Sequence, residues 1–222
     1  MLCFKVKNEE LYLVTNYKVM YSTLSKQQNL DQYLSKKLSF KILFNQMHLN
    51  KDQFYLLVRD PYDRTESFFK DKFRKSVKRI EKKGEWQNTH KIFFPYLGLD
   101  SSMPDSLIAE KLLSVSFEEF ITYLGDVYKI NQHLYPQHWA MGIRSSIFPF
   151  VNLPISFQKV FKMESEGDLN DLAKLFKIDL GVRTNSTETV SEPIVWGKSE
   201  LEMVEKIYEK DFELFGYGKK ER

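Results

Sequence analysis

The sequence is poor in the residues that mark secreted scaffolds and disordered chains, with one cysteine, nine glycines and seven prolines among 222 residues. Because Cys3 stands alone, no internal disulfide can form, which excludes a disulfide-stapled scaffold and suits a reducing compartment. No run of about 18 apolar residues occurs, and residues 1–8 are mixed and charged, so we expect neither a signal peptide nor a membrane span. These absences predict a cytoplasmic protein.

The composition favours a folded globular chain. Hydrophobic residues make up 42% and aromatic residues 15% of the sequence, which is enough apolar surface to offset the entropy of the chain. The length and the lack of linkers and repeats predict a single domain over residues 1–222. The net charge is only +3, from 33 basic and 30 acidic residues, so we expect no nucleic-acid partner. The composition does not predict an oligomeric state.

Residues 70–83 concentrate positive charge. Eight of them are basic and two are acidic, which gives this segment a net charge of +6. Apolar residues recur through it at helical spacing, and this pattern predicts an amphipathic helix with one basic face. Two interpretations stay open, because such a face either binds an anionic ligand or is only a solvated helix surface.

Two short apolar segments are predicted to be strands of a sheet. Residues 11–15 and 54–58 are almost continuously apolar, as strands of a parallel sheet covered on both faces tend to be. A helix is predicted from about residue 22 to residue 37, where leucines recur. The alternation of strands and helices predicts an α/β fold with a central parallel β-sheet flanked by helices, and with ligands at the carboxyl ends of the strands.

Capping and periodicity indicate further helices. Ser116 followed by Glu119 has the pattern of a capping box and predicts a helix through Tyr123. Amphipathic patterns predict two more helices over residues 168–176 and 198–215. Residues 84–106 mix proline and glycine with aromatic residues, which is typical of an irregular but packed excursion.

The segment after the first strand has the composition of an anion-binding loop. Lys18, Ser22 and Thr23 place a lysine and two hydroxyls where a strand passes into a helix, and backbone amides at such a junction hold phosphates in many proteins. The G-x-x-x-x-G-K-[ST] loop is excluded, because residues 16–24 contain no glycine. On these residues alone, a serine helix cap is the commoner explanation.

The segment after the second strand is more specific. Arg59 stands at the carboxyl end of the strand, and Ser67 follows eight residues later on the predicted helix. An arginine fork and a serine hydroxyl that converge there can clamp a phosphate monoester. We interpret Asp63 and Arg64 between them as a turn ion pair.

These two segments carry a resemblance to a known family. Residues 59–67 (RDPYDRTES) resemble the signature R-[DN]-P-[YFW]-x-R-x-x-S of sulfotransferases that use 3′-phosphoadenosine 5′-phosphosulfate (PAPS), and every position is filled. Residues 18–24 (KVMYSTL) are similar to the 5′-phosphosulfate loop of this family, K-x-G-[ST]-[ST]-[ST]-[LF]. Met20 and Tyr21 depart from it, because they stand where small residues, often a glycine, are common. The resemblance implies a P-loop-like three-layer form of the fold.

Similarity to the carbohydrate branch of the family continues along the chain. Residues 117–120 (FEEF) and 131–137 (NQHLYPQ) are similar to its F-x-x-F and H-[W]-x-P-Q patterns, and residues 162–169 and 208–217 also match it. The resemblance therefore implies transfer of a sulfuryl group from PAPS, the co-substrate, to a hydroxyl of a carbohydrate or glycoconjugate.

The resemblance also implies how the donor is held. Lys18 is placed near the bridging oxygen, and Arg59 and Ser67 hold the 3′-phosphate. This scheme uses no metal, and the sequence has no convincing metal-ligand cluster. The residues expected around the 5′-phosphate are Tyr21, Ser22, Thr23 and Leu24.

The acceptor hydroxyl must lose a proton, and histidine is a usual general base. His133, inside the family-like pattern, is the first candidate for the base or for an acceptor-site residue, and His48, between the two donor motifs, is the second. Glu164 is a further candidate, for which a helix cap or an ion pair is an equal alternative. The other histidines are interpreted as a structural residue beside Trp139 and as a surface loop residue: His138 and His90.

Two other function classes stay open. A nucleotide-dependent phosphotransferase would need the missing glycines and an acidic magnesium ligand, for which Asp60 is the one obvious residue. A non-catalytic module on the same fold would bind a polyanion through the basic helix. The sequence does not identify the acceptor, and the three tryptophans either stack on a sugar or fill the core.

Overall fold

The computed structural model of the chain describes residues 1–33, 42, 53–81, 83–144, 152–180 and 193–220. A π-helical stretch (Asp71–Lys75) and a 3₁₀ helix (Gln137–Met141) accompany its α-helices and strands. In chain order, the other elements are β1 (Leu2–Val6), β2 (Leu11–Thr15), α1 (Tyr21–Leu24), β3 (Leu30–Gln32), β4 (Gln53–Val58), α2 (Pro61–Lys70), α3 (Ser76–Glu81), α4 (Asn88–Lys91), α5 (Phe94–Leu97), α6 (Asp105–Ser114), α7 (Phe117–Val127), β5 (Gly142–Arg144), β6 (Asn152–Pro154), β7 (Phe157–Lys162), α8 (Glu166–Phe176), α9 (Lys198–Ile207) and α10 (Glu209–Phe215).

The described residues fall into two compact units. The first unit comprises Met1–Asp60, Pro136–Asn185 and Glu213–Tyr217, and the second comprises Pro61–Tyr135, Ser186–Phe212 and Gly218–Arg222. The single domain expected over residues 1–222 stays a prediction.

Five strands of the first unit form one sheet in the order β3-β1-β2-β4-β7. The strands β2, β4 and β7 run parallel to one another, which confirms the predicted parallel centre. β1 is antiparallel to both β2 and β3. The turn between β1 and β2 is too short for a crossover, and Asn8 adopts a φ of 63° in it, so the two strands form a hairpin.

The sheet is covered on both faces within the first unit. Alternate residues of β2 enter different clusters: Leu11 and Leu13 pack with α8, whereas Tyr12 and Val14 pack against Ala140 of the 3₁₀ helix and against α10. Each fully buried leucine contributes roughly 1.5–3 kcal/mol to folding. This double burial explains why β2 and β4 read as continuous apolar runs, and it gives the predicted layers of helix, sheet and helix.

Three strands of the sheet were not predicted from the sequence: β1, β7 and β3, the last of which lies in a segment predicted to be helical. β1 contains Lys5, and its side chains do not read as a buried run, although most of them are buried. β7 has the sequence FQKVFK and is only partly buried, in keeping with its place at the edge of the sheet. Charged residues inside these strands, Lys5 and Lys159, interrupted the apolar pattern.

The helix predicted over residues 22–37 is wrong over most of its described length. α1 ends at Leu24, and residues 30–32 form β3, which pairs with β1 in the register Val6↔Leu30. Asn29 donates hydrogen bonds from Nδ2 to the carbonyl oxygens of Phe176 and Lys177 (2.8 and 3.0 Å). These tertiary hydrogen bonds outweigh the weak local helix preference. Residues 34–37 lie outside the described residues.

The second unit is helical and contains the basic segment. As predicted, residues 70–81 are helical, although the π-helical stretch interrupts the α-helix. Phe73, Val77 and Ile80 are buried on one face, and Lys75, Lys78 and Arg79 are exposed on the other. Not every charge is free for a ligand, because Lys72 is buried and donates a hydrogen bond to Gln87 (3.1 Å).

The remaining helices agree with the sequence patterns. The capping box at Ser116 is present, with Glu119 N–H donating to Ser116 Oγ at 3.1 Å and Ser116 N–H donating to Glu119 Oε2 at 2.7 Å. The predicted helix over residues 198–215 is two helices, α9 and α10, with a break at Tyr208. Across the described ranges, no helix is long and apolar enough to cross a membrane.

Candidate active site

The loop between β2 and α1 carries Lys18. Thr15 at the end of β2 donates a hydrogen bond from Oγ1 to the carbonyl oxygen of Leu57 (3.0 Å), which ties the start of the loop to β4. Val19, directly after Lys18, is fully buried in the core of the first unit. The backbone on both sides of Lys18 is therefore anchored.

Two residues of this loop have left-handed backbone conformations. Lys18 has a φ of 68° and Met20 has a φ of 53°, a region that favours glycine. Such a conformation costs a residue with a Cβ on the order of 1 kcal/mol. Met20 stands where the family pattern commonly has glycine, so the loop keeps a glycine-like backbone without the glycine.

α1 presents its hydroxyl residues and hides its leucine. Tyr21, Ser22 and Thr23 are half-buried, and the amides of Thr23 and Leu24 both donate to the carbonyl oxygen of Met20 (3.0 Å each). The side chain of Leu24 is fully buried in the core cluster, so any contact of this residue with a donor would involve its backbone.

Arg59 joins the two predicted donor motifs. It follows the last residue of β4, and its Nη1 donates a hydrogen bond of 3.3 Å to the carbonyl oxygen of Lys18, in the loop that follows the neighbouring parallel strand β2. Because the carboxyl ends of parallel strands meet at one edge of a sheet, the fold itself brings together residues 41 positions apart.

The backbone at Arg59 and Asp60 is held by side chains. Gln137 accepts a hydrogen bond from the amide of Arg59 at Oε1 (2.9 Å) and donates one from Nε2 to the carbonyl oxygen of Arg59 (2.7 Å). Glu164 accepts a hydrogen bond at Oε1 from the amide of Asp60 (2.9 Å). These roles were missed in the sequence, where Gln137 and Glu164 stood out only as members of family-like patterns.

Ser67 and Arg64 belong to the second unit, on α2. Ser67 is buried. The turn ion pair predicted for Asp63 and Arg64 is wrong, because both residues lie in the helix, where adjacent side chains point in different directions. Arg64 is 2% exposed, its Nη1 donates to the carbonyl oxygen of His133 (3.4 Å), and its guanidinium lies over the ring of Tyr208 (4.9 Å).

The segment around His133 is held by its backbone. The amide of His133 donates to Asn131 Oδ1 (3.1 Å), and the hydroxyl of Tyr208 donates to the carbonyl oxygen of Leu134 (2.8 Å). Burial raises the pKa of Tyr208 to about 12, so this hydroxyl keeps its proton at neutral pH. The imidazole of His133 is half-buried and lies 6.2 Å from the ring of Phe68.

The other candidate bases differ in their surroundings. His48 lies outside the described residues. His90 is 1% exposed and its Nε2 lies 3.1 Å from Ser76 Oγ, so the prediction of a surface loop residue is wrong. His138 stands beside Trp139, with ring centroids 6.4 Å apart. Both carboxylate oxygens of Glu164 accept hydrogen bonds, from Asp60 and from the hydroxyl of Tyr217 (3.1 Å), so its geometry is that of a structural acceptor.

The three tryptophans separate by exposure. Trp86 is buried and donates from Nε1 to Asp105 (2.7 Å), and Trp196 packs edge-on against Phe117 (4.7 Å). Trp139 is 42% exposed, two residues after Gln137. Trp139 is therefore the tryptophan whose ring is most accessible to a ligand.

The part of the chain that the structure describes contains no cluster of metal-binding side chains. No group of three or more histidine, cysteine, aspartate or glutamate side chains there is arranged to hold a metal ion. The candidate site consists instead of hydroxyls, amides and two cationic side chains, Lys18 and Arg59, a donor set that suits phosphate and sulfate groups.

Comparison with known proteins agrees with a site for phosphate and sulfate groups. The chain is 28% identical over 186 residues to carbohydrate sulfotransferase 12 of Mus musculus, covering 78% of the chain and 42% of that protein. It is 28% identical over 188 residues to carbohydrate sulfotransferase 12 of Xenopus laevis, covering 77% of the chain and 41% of that protein. The chain thus spans about two fifths of the length of these relatives. No solved structure matches it significantly. Residues 3–218 match the family described as "Sulfotransferase family", and the chain belongs to this family.

Proposed function

We propose that this chain transfers the sulfuryl group of PAPS to a hydroxyl of a carbohydrate. Family membership supports sulfuryl transfer, and the names of the two relatives support a carbohydrate acceptor. The single observation that carries the proposal is the contact between Arg59 and Lys18, which joins the two motifs that resemble the donor site of the family.

The residues have separate roles in this proposal. Lys18 neutralises charge on the oxygen that bridges sulfur and phosphorus, and Arg59 and Ser67 bind the 3′-phosphate. The role of Ser67 rests on the motif. The 5′-phosphate is bound by the residues of α1, through the hydroxyls of Tyr21, Ser22 and Thr23. The contribution of Leu24 stays a prediction of the resemblance, because its amide donates to the carbonyl oxygen of Met20.

The reaction is an in-line displacement. The acceptor oxygen forms a new bond to sulfur while the bond between sulfur and the bridging oxygen breaks, and 3′-phosphoadenosine 5′-phosphate leaves. Catalysis of such a transfer consists largely of positioning and of charge neutralisation on the leaving and equatorial oxygens. A lysine and an arginine at one edge of the sheet supply that charge, and this scheme requires no metal.

The acceptor proton needs a base, for which we propose His133. Its segment is fixed by Asn131, Arg64 and Tyr208, and a fixed imidazole is suited to accept a proton from an acceptor hydroxyl. His48 stays the second candidate. The cytoplasmic location expected from the sequence also stays a prediction.

Transfer of labelled sulfate tests this function. The purified chain is incubated with PAPS labelled with ³⁵S and a panel of neutral and acidic glycans, and labelled glycan is counted. We expect transfer by the wild type and a loss of about 100-fold or more in Lys18→Ala, because removing one group that stabilises transition-state charge costs roughly that much. The exposed Lys26 supplies the matched control Lys26→Ala, expected within about twofold of the wild type. Equal transfer by Lys18→Ala and Lys26→Ala would refute the role of Lys18.

A second candidate function rests on the basic helix. Lys75, Lys78 and Arg79 are exposed at spacings of three and four residues, so their charges lie along one face, and the exposed Lys83 follows the end of the helix. A polyanion bound there would show affinity that falls steeply with salt and that does not depend on Lys18 or Arg59.

A further inference from the structure

The connection between β4 and α2 is two residues long, Arg59 and Asp60, and Pro61 follows it. The amide of Arg59 donates to Gln137, the amide of Asp60 donates to Glu164, and proline has no amide hydrogen. All the amide hydrogens of this connection are thus held by two side chains distant in sequence. A buried backbone group needs such a partner. A partner that fixes the backbone of a residue also fixes the direction in which the side chain of that residue leaves it.

The side chain of Gln137 makes the two hydrogen bonds to Arg59 that a neighbouring strand would make. Its Oε1 accepts from the amide of Arg59 at 2.9 Å while its Nε2 donates to the carbonyl oxygen of the same residue at 2.7 Å. This is the two-bond exchange of a hydrogen-bonded pair in an antiparallel ladder, made by a side-chain amide. Gln137 is 1% exposed, so water does not replace it.

Few side chains can make this pair. A carboxylate accepts but does not donate, and a lysine donates but does not accept, whereas a glutamine does both. Leucine has a similar volume and would leave the amide and carbonyl groups of Arg59 without these bonds. The chemistry at position 137 is therefore tied to the backbone of Arg59.

Residues that follow α10 hold Glu164, the second side chain that bonds this connection. The hydroxyl of Tyr217 donates to Glu164 Oε2 (3.1 Å), and Lys162 donates from Nζ to the carbonyl oxygen of Gly216 (3.2 Å) while lying over the ring of Tyr217 (4.9 Å). Glu164, held in this way, accepts the hydrogen bond from the amide of Asp60. Gly216 and Tyr217, which follow α10, are therefore part of the support of the donor motif.

We propose that Gln137 is a positioning residue for Arg59, and that Glu164 with Tyr217 supports the same connection. By fixing the backbone of Arg59 on both of its polar groups, Gln137 aims the guanidinium at the loop of Lys18 and at the 3′-phosphate of the donor. The inference rests on the proposed function, since it needs Arg59 to bind that phosphate.

The test compares two nucleotides that differ in one phosphate. Calorimetric titration measures the affinity for 3′-phosphoadenosine 5′-phosphate and for adenosine 5′-monophosphate, which lacks the 3′-phosphate, and the ratio of the two affinities isolates the 3′-phosphate. Gln137→Leu should lower this ratio about tenfold, because a misdirected arginine loses part of a charge-assisted pair. A role limited to overall stability would lower both affinities and leave the ratio unchanged.

Gln27 provides a matched control. Its side chain forms the same pair of hydrogen bonds with the backbone of Asp179. Nε2 donates to the carbonyl oxygen (2.9 Å), and Oε1 accepts from the amide (3.2 Å). Gln27→Leu should lower the melting temperature without changing the affinity ratio. If Gln137→Leu and Gln27→Leu leave the same ratio as the wild type, Gln137 does not position Arg59.

Gln137→Glu covers the case in which Gln137→Leu does not fold. A protonated carboxyl donates and accepts as the amide does, whereas the carboxylate opposes the carbonyl oxygen of Arg59. The affinity ratio of Gln137→Glu, taken relative to the wild type at each pH, should recover as the pH falls, and a ratio that stays below that of the wild type at every pH would overturn the inference. If the wild type itself does not prefer the 3′-phosphorylated nucleotide, it is the proposed function that fails.

Discussion

The guanidinium of Arg59 donates a hydrogen bond of 3.3 Å to the main-chain carbonyl oxygen of Lys18. Lys18 has a left-handed backbone, so its carbonyl and its side chain leave the loop in directions that an ordinary strand end would not give. The arginine that the motif assigns to the 3′-phosphate is thereby tied to the lysine assigned to the bridging oxygen. In the proposed function, the two ends of one donor are therefore bound by residues that contact each other.

The backbone of Met20 predicts an unusual order of stability. Met20→Gly and Met20→Ala both remove the side chain beyond Cβ, but only glycine adopts a φ of 53° without a steric cost. We expect Met20→Gly to be more stable than Met20→Ala by about 1 kcal/mol in urea unfolding. An alanine variant at least as stable as the glycine variant would show that this position is not left-handed in solution.

His133→Asn tests the base. Asparagine keeps the backbone bonds to Asn131 and Arg64 but accepts no proton, so kcat should fall by about 10²–10⁴-fold while the affinity for 3′-phosphoadenosine 5′-phosphate stays within about twofold. An unchanged kcat in His133→Asn would make His48 the first candidate for the general base.

The basic helix predicts a separable binding property. The triple variant Lys75→Ala, Lys78→Ala, Arg79→Ala should elute earlier from a heparin column and lose part of its salt dependence, because it releases about three fewer counterions. Its affinity for 3′-phosphoadenosine 5′-phosphate should match that of the wild type. The control removes three exposed lysines from other helices: Lys111, Lys174 and Lys206. Equal elution of both triple variants would show that the basic face adds nothing beyond net charge.

Cys3 predicts a loss of stability at alkaline pH. Burial in the core of the first unit raises the pKa of its thiol, so the folded chain keeps a proton that the unfolded chain releases above about pH 8.5. The contribution is fully present below that pH and is lost as the pH rises, at up to roughly 1.4 kcal/mol per pH unit. The difference in unfolding free energy between the wild type and Cys3→Val should therefore be constant below about pH 8.5 and turn against the wild type above it. A difference that stays constant to about pH 10 would contradict this account of Cys3.

The strands that lead to Lys18 and Arg59 were predictable because their signals are local. Strand β2 was predicted with its observed bounds and β4 lacked one residue, since both are buried on two faces and read as apolar runs. The contact between Arg59 and Lys18 is not local, and it agrees with the rule that parallel strands end at one edge of a sheet. The capping box at Ser116 was equally readable, because all its partners lie within four residues.

The features that were missed depend on distant partners. β3 replaces a predicted helix because it pairs with β1, and Asn29 is held by the end of α8. The roles of Gln137 and Glu164 arise from hydrogen bonds across 78 and 104 positions, which no local pattern encodes. Burial of Arg64 likewise depends on Tyr208, far along the chain.

The most direct test of the proposed function is calorimetric titration of the wild type and Arg59→Ala with 3′-phosphoadenosine 5′-phosphate. We predict micromolar binding by the wild type and a loss of about 10- to 100-fold in the variant, the usual worth of a charge-assisted bond to a phosphate. Absence of binding by the wild type, or equal binding by Arg59→Ala, would contradict the donor site described above.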